Sequence, residues 1–393
     1  MDIASRLSTP AKSSRPGVID ELFDLARAEP DIVSLAAGAP DTSLLPVELL
    51  GELTASAVDR FGREVLQYGA TQGFLPLREA LVPRLRDRGV HCGSEDVHVS
   101  TGGSGALNNV CLALLNSGDV VAVERPTYAP AVKVFRAYQA KVIDVACDAD
   151  GMLPDALDET LRARPVKFVY LMPTFQNPTG RSMPPERRAA IASVARHADV
   201  LLVEDDVYSE LRYTGTPAAA LTAFAPERSV YLTSCSKLFA PAMRVGVAVM
   251  PKDLLARVLM LKQGIDMQTS TYTQALVTEF LTGGHAEAHL VRLHDAYAAR
   301  LRALDSALTT HLPLDFSWQR PDGGMFLWLT GPASLDAEAI LPTAIAGGVA
   351  YVPGSAFHVY PGEGRETMRL SFAGVKEESI EEGVRRLAAV VTT

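Results

Sequence analysis

From about residue 95 the chain repeats one pattern: a short unbroken apolar run, then a longer stretch in which apolar positions return every three or four residues. The runs are Val97-His98-Val99, Val120-Val121-Ala122-Val123, Phe168-Val169-Tyr170-Leu171, Val200-Leu201-Leu202-Val203, Val230-Tyr231-Leu232-Thr233 and Gly246-Val247-Ala248-Val249. Rich in β-branched residues, they predict strands covered on both faces, mainly parallel and joined by crossover helices. The fold class that follows is α/β, a mainly parallel central sheet sandwiched by helices. Beyond about residue 272 the pattern changes. Residues 285–312 carry Leu290, Leu293, Tyr297, Leu301 and Leu308 at helical spacing. Strand-like Met325-Phe326-Leu327-Trp328-Leu329, a helical stretch over 337–346 and strand-like Met368-Arg369-Leu370-Ser371-Phe372 follow. This second pattern predicts a smaller α+β domain.

At 393 residues the chain exceeds the size of a single core, so two domains are expected. The boundaries read as a large domain over 51–275 and a small one over 276–393, with the strand-poor segment 1–50 packing on the small domain. A net charge of −9 argues against a nucleic-acid surface, which needs clustered Lys and Arg. The start, Met1-Asp2-Ile3-Ala4, lacks the positive charge and apolar core of a secretory signal, and no run is long enough to span a bilayer. A cytoplasmic protein is expected. Cys92, Cys111, Cys147 and Cys235 are widely separated, which suggests neither a disulfide framework nor a zinc site. His285, His289 and His294 share one helical pattern, but neither a Cys nor a third ligand joins the i, i+4 pair at metal-binding spacing, so a solvated helix face is expected there.

Candidate chemistry concentrates in Ser234-Cys235-Ser236-Lys237, with Arg244 and Gly246 close behind. One amine nucleophile beside hydroxyls and an arginine suits an aldehyde cofactor that carries a phosphate, as pyridoxal 5′-phosphate does. Thr101-Gly102-Gly103-Ser104-Gly105 follows a predicted strand and opens a helical run over 106–115. Close backbone approach and a helix N-terminus favour an anion at that point. Gly103-x-Gly105 is followed by Asn108 where a dinucleotide fingerprint needs its third glycine.

Further segments join these in order: Leu35-Ala36-Ala37-Gly38-Ala39-Pro40-Asp41, Tyr68-Gly69-Ala70-Thr71-Gln72-Gly73, Pro173-Thr174-Phe175-Gln176-Asn177-Pro178-Thr179-Gly180, Glu204-Asp205-Asp206-Val207-Tyr208 and the Arg369 segment. Together they resemble the class I/II aminotransferases of the fold-type I pyridoxal-phosphate superfamily, nearest the branch of 2-aminoadipate aminotransferases and the catalytic domains of MocR-type regulators. The resemblance implies that Lys237 holds the cofactor's aldehyde carbon covalently and shuttles the substrate's α-proton. It implies that Asp205 pairs with the pyridine nitrogen and that Asn177 and Tyr208 bond the ring oxygen. Tyr128 is implied to stack on the ring, and Gly103, Ser104, Ser234 and Arg244 to hold the phosphate. Arg369 and Gly38 are expected to take the substrate's α-carboxylate, with Asn177 also counted as substrate-binding, and Tyr68 to reach the phosphate of a neighbouring subunit in a homodimer.

The reaction so implied is a ping-pong transamination between an L-amino acid and a 2-oxo acid. In this branch a helix near Val18-Ile19-Asp20-Glu21-Leu22-Phe23 covers the site. Asp20 and Glu21 there suggest a basic or guanidino side chain, whereas Arg15 suggests an acidic one. Another pyridoxal-phosphate reaction on the same scaffold (a lyase, decarboxylase or oxidase) and a non-catalytic MocR-like effector module are the alternatives.

Overall fold

The computed structural model describes residues 1–13, 16–29 and 31–391. Its centre is a seven-stranded sheet built from β1 (Val97–Thr101), β2 (Val120–Glu124), β3 (Lys141–Val145), β4 (Phe168–Leu171), β5 (Leu201–Asp205), β6 (Ser229–Ser234) and β7 (Val245–Val249). The strands lie in the order β1-β7-β6-β5-β4-β2-β3. Every neighbouring pair is parallel except those of β7, which runs antiparallel to both β1 and β6. The inner strands are buried on both faces, as their unbroken apolar composition demands. Edge strand β3 escapes the apolar-run pattern because Lys141, Val142, Ile143, Asp144 and Val145 alternate in burial.

The parallel strands point their carboxyl ends one way, and ligands in such sheets bind at that edge. Glu124, Asp205 and Ser234 are the last residues of β2, β5 and β6. Helix α1 (Val18–Ala28) lies in the N-terminal segment, and α2 (Gly102–Leu114) begins directly after β1, so the glycine-rich stretch forms its first turn. Helix α3 (Ala129–Ala137) follows β2 and starts from Tyr128.

A second, antiparallel sheet has the order β8-β9-β11-β10, from β8 (Ser317–Trp318), β9 (Phe326–Thr330), β10 (Val352–Pro353) and β11 (Thr367–Ser371). The long helix α4 (His285–His311) packs along the last helix, α5 (Glu377–Val391). Val33 and Ser34 pair in parallel with Val349 and Ala350, and the strap continues as Leu35 N–H donates to Ala350 O at 2.8 Å while Leu35 O accepts from Ser371 N–H at 2.7 Å.

Two local expectations need correction. Regular helix covers only Leu341–Ala346, because the Asp336 carboxylate accepts the N–H groups of Glu338 and Ala339 and makes a turn of that stretch. His289 is buried with its ring edge on Phe280, and burial lowers its pKa to about 4, so that face of α4 is not solvated. No group of three or more metal-ligating side chains occurs among the described residues. No described helix is long and apolar enough to cross a membrane.

Candidate active site

A cavity of about 230 Å³ opens between the carboxyl edge of the large sheet, the N-terminal segment and the small sheet. Gly38, Gly103, Ser104, Tyr128, Asn177, Asp205, Tyr208, Ser234, Lys237, Arg244 and Arg369 all line it. Tyr68 does not line it: this side chain is 75% exposed.

Lys237 stands on the turn between β6 and β7, where Cys235 N–H donates to Val245 O and fixes the chain reversal. Its Nζ donates to Gly38 O at 3.1 Å. Burial lowers the amine's pKa to about 8, and the guanidinium groups of Arg369 and Arg244 act in the same direction. The amine is then about one-tenth neutral at pH 7 and half neutral near pH 8, far more than an ordinary lysine, as a general base requires. Gly38 lies so close to the ring of Phe326 that an added Cβ would come within 3.1 Å of it.

Asp205 ends β5 and is buried. Its Oδ2 accepts from the Tyr170 hydroxyl at 2.7 Å, whereas its buried Oδ1 has no partner among the described residues. Burial raises this carboxyl to about 6. Its neighbour Asp206 faces elsewhere, accepting from Arg88 and Tyr231. Tyr208 is buried with its ring edge toward Phe326, and burial holds the phenol well above its ordinary range. Tyr128 is pushed up to about 12, chiefly by burial.

At the other end, Gly102 adopts φ of +76°, and a Cβ there would sit 2.3 Å from an Arg244 guanidinium nitrogen. Gly246 is tighter still, since its Cβ would meet the Gly102 backbone at 2.2 Å. These glycines let Arg244, itself in the left-handed region at φ 52°, approach the N-terminus of α2. Ser234 Oγ donates to Ser236 Oγ at 2.9 Å and accepts the Ser236 N–H at 3.1 Å.

Arg369, on β11, is buried between the rings of Phe326 and Phe357. It donates to Asn177 Oδ1 at 2.9 Å and Ala36 O at 2.7 Å, while its Nε has no partner among the described residues. Among the described residues no carboxylate pairs with it, and burial lowers its pKa to about 10. A buried cation without a counterion is a receptor for an anion.

Asp20 does not line the cavity. Its carboxylate caps Gly17 N–H at 3.0 Å and pairs with Lys133 at 2.5 Å, and Glu21 is exposed. Arg15 lies outside the described residues. The wall that is present joins Ile19, from the helix expected to cover the site, to Leu107, Pro130, Ala131 and Val134, which sequence reasoning missed. The spacing of Pro130 and Val134 on one face of α3 was its only signal.

The residues fit pyridoxal phosphate on the structure's own terms. An orphaned buried carboxylate oxygen suits a protonated ring nitrogen, the glycine cradle beside Arg244 suits a phosphate, and one amine of lowered pKa lines the same cavity. Comparison with known proteins agrees. Residues 30–387 match the family described as aminotransferase class I and II. The whole chain is 36% identical to aromatic-amino-acid aminotransferase 1 of Thermococcus litoralis, covering 95% of that protein. Among solved structures, it is 36% identical to Pyrococcus horikoshii kynurenine aminotransferase in complex with PMP, with a TM-score of 0.94 over 100% of this chain and 98% of the other. The alpha-aminoadipate aminotransferase LysN from Thermus thermophilus, complexed with N-(5′-phosphopyridoxyl)-L-leucine, is 33% identical with a TM-score of 0.91, over 100% and 98% of the two chains. With the α/β architecture, the glycine cradle and these relatives in agreement, the chain belongs to the class I and II aminotransferases of fold type I, enzymes that work with pyridoxal 5′-phosphate.

Proposed function

We propose that the enzyme transfers the amino group of a large apolar or aromatic L-amino acid to a 2-oxo acid by a ping-pong reaction, with Lys237, Asp205 and Arg369 as its working centre. The observation that carries this reading is their convergence on one cavity, each with capacity left over: a lowered amine pKa, an unpartnered carboxylate oxygen and a guanidinium without a counterion. Pyridoxal phosphate, when bound, supplies a carbon that takes the amino group and a ring that accepts the electrons left when the α-C–H bond breaks.

The chain's own residues do the rest. Arg369 grips the α-carboxylate in a fork and fixes which face of the α-carbon is presented to Lys237. The neutral Nζ of Lys237 takes the α-proton and gives it back one position away, and Gly38 O holds that amine in line. With the cofactor bound, Asp205 would keep a positive charge on the ring nitrogen through its free oxygen. Asn177 and Tyr208 would donate to the ring oxygen, Tyr128 would pack on the ring, and Gly103, Ser104, Ser234 and Arg244 would hold the phosphate at the N-terminus of α2.

The side-chain preference rests on the apolar wall of Ile19, Leu107, Pro130, Ala131 and Val134, and on the engagement of Asp20 with Lys133. A basic side chain finds no free carboxylate on that wall. The test is a substrate comparison in which amino donor is converted to 2-oxo acid without ammonia release. Phenylalanine or kynurenine should turn over at least about tenfold faster than arginine or lysine, the factor expected for burying an aromatic ring rather than a charge. Equal rates, or faster turnover of arginine, would overturn the preference. Failure of any amino acid to change the visible absorbance of the holoenzyme would overturn the reaction.

The same reading makes the enzyme a homodimer in which Tyr68 reaches the neighbouring site. Leu66, Tyr68, Ile265 and Met267 are exposed, and Gly69 N–H donates to the Gln268 side chain, so these two stretches form one surface. Exposed apolar groups gathered in this way favour a protein contact.

A further inference from the structure

Glu204, Asp205 and Asp206 are three acids in a row, all buried, and each has a different escape from its own charge. Glu204 accepts the N–H groups of Leu221 and Thr222 and the Thr222 hydroxyl. Asp206 accepts from the Arg88 guanidinium at 3.1 Å and the Tyr231 hydroxyl at 2.8 Å. Among the described residues Asp205 has one donor, the Tyr170 hydroxyl. That donor comes from the adjacent strand: Tyr170 sits opposite Val203, which places Asp205 two residues along and on the same face of the sheet. Tyr170 is fully buried and its ring edge packs on Phe135 at 5.4 Å, which holds the ring with its hydroxyl on Asp205.

We infer that Tyr170 is a positioning residue for the cofactor's pyridine nitrogen. It ties down Oδ2 of Asp205, leaves Oδ1 as the oxygen that meets the ring, and holds the carboxyl ionised. The inference rests on the proposed role of Asp205. Its chemistry is that of opposing influences on one carboxylate. Burial and the neighbouring charges of Asp206 and Glu204 favour the neutral acid, and the Tyr170 hydrogen bond opposes them. Without the phenol, the proton shared between carboxylate and ring nitrogen shifts toward the carboxylate, and a charge-assisted pair becomes a neutral one.

The test is Tyr170→Phe, which deletes one oxygen and keeps the ring against Phe135. Holoenzyme reconstituted with cofactor labelled with nitrogen-15 in its ring reports protonation directly by its chemical shift. The variant should move that signal toward the unprotonated position and weaken cofactor retention by about tenfold or more. An unmoved signal with unchanged retention would overturn the inference. Asp205→Asn separates the two levels of the argument. If it leaves signal and retention unchanged, the role of Asp205 itself is wrong; if it changes both while Tyr170→Phe changes neither, only the role of Tyr170 is wrong. In the Asp205→Asn background, Tyr170→Phe should add nothing, and a further tenfold loss there would show that Tyr170 acts through packing alone. Should the phenylalanine variant fail to fold, a fluorinated tyrosine at position 170 donates more strongly and should leave the nitrogen protonated to higher pH; no change would again overturn the proposal.

Discussion

Replacing Arg369 by methionine separates stability from activity. Burial brings the guanidinium to a pKa of about 10, a fall of two to three decades that corresponds to about 3 kcal/mol for keeping it charged. Opposing this are the hydrogen bonds to Asn177 and Ala36, each contributing about 1.5 kcal/mol from a charged donor. The two effects nearly cancel. Arg369→Met is therefore expected to change the unfolding free energy by no more than about 1 kcal/mol, because an apolar chain of similar length replaces an uncompensated cation. Activity has no such cancellation. The substrate's α-carboxylate loses a forked contact of about 3–5 kcal/mol, so kcat/KM should fall by about three orders of magnitude. The discriminating assay compares an L-amino acid with the amine that lacks its carboxylate. The native enzyme should favour the amino acid by that same factor, and the variant should hardly distinguish them. A variant that keeps the preference, or that loses more than about 3 kcal/mol of stability, refutes the reasoning.

Three other outcomes follow from the same geometry. Because only the neutral Lys237 amine takes a proton, the amino-acid half-reaction should accelerate with pH and level off above about 8; removing the nearby Arg369 charge should move that limb to higher pH, measured by stopped-flow absorbance. Glu124 is buried at the end of β2, accepting Met172 N–H at 2.8 Å, and burial raises it to about 7. A carboxyl raised in the folded state stabilises fully below its ordinary value of 4.5 and loses that contribution as pH rises to about 7, so Glu124→Gln should match the native protein at about pH 4 and exceed it by about 1–3 kcal/mol at about pH 8 in denaturant titrations. Tyr68→Ala and Lys237→Ala chains, each inactive alone, should regain about a quarter of native activity when mixed as dimers, since half the dimers then hold one complete site; no recovery in verified hybrids argues against a shared site.

The sheet was legible because six of its strands are apolar runs that only a doubly covered sheet accommodates. The direction of β7 was not, because an apolar run looks the same read either way, and the reversal depends on the short connection through Lys237. The cavity residues were legible through chemistry: an amine, a carboxylate and an arginine in recurrent surroundings. Tyr170 was invisible as a partner of Asp205, since a tyrosine inside Phe168-Val169-Tyr170-Leu171 reads as core until the register with β5 is known. Asp20 misled for a related reason: its charge suggested a ligand, but Lys133, over a hundred positions away, already meets it.

The strap from Val33 to Gly38 is bonded to the small sheet at Ala350 and Ser371, and Arg369 reaches it directly at Ala36. Carboxylate receptor and amine rest thus meet on one strap, and the same guanidinium also reaches the large-sheet side at Asn177. A substitution that displaces this strap would be felt at the substrate's acid group and at the lysine together.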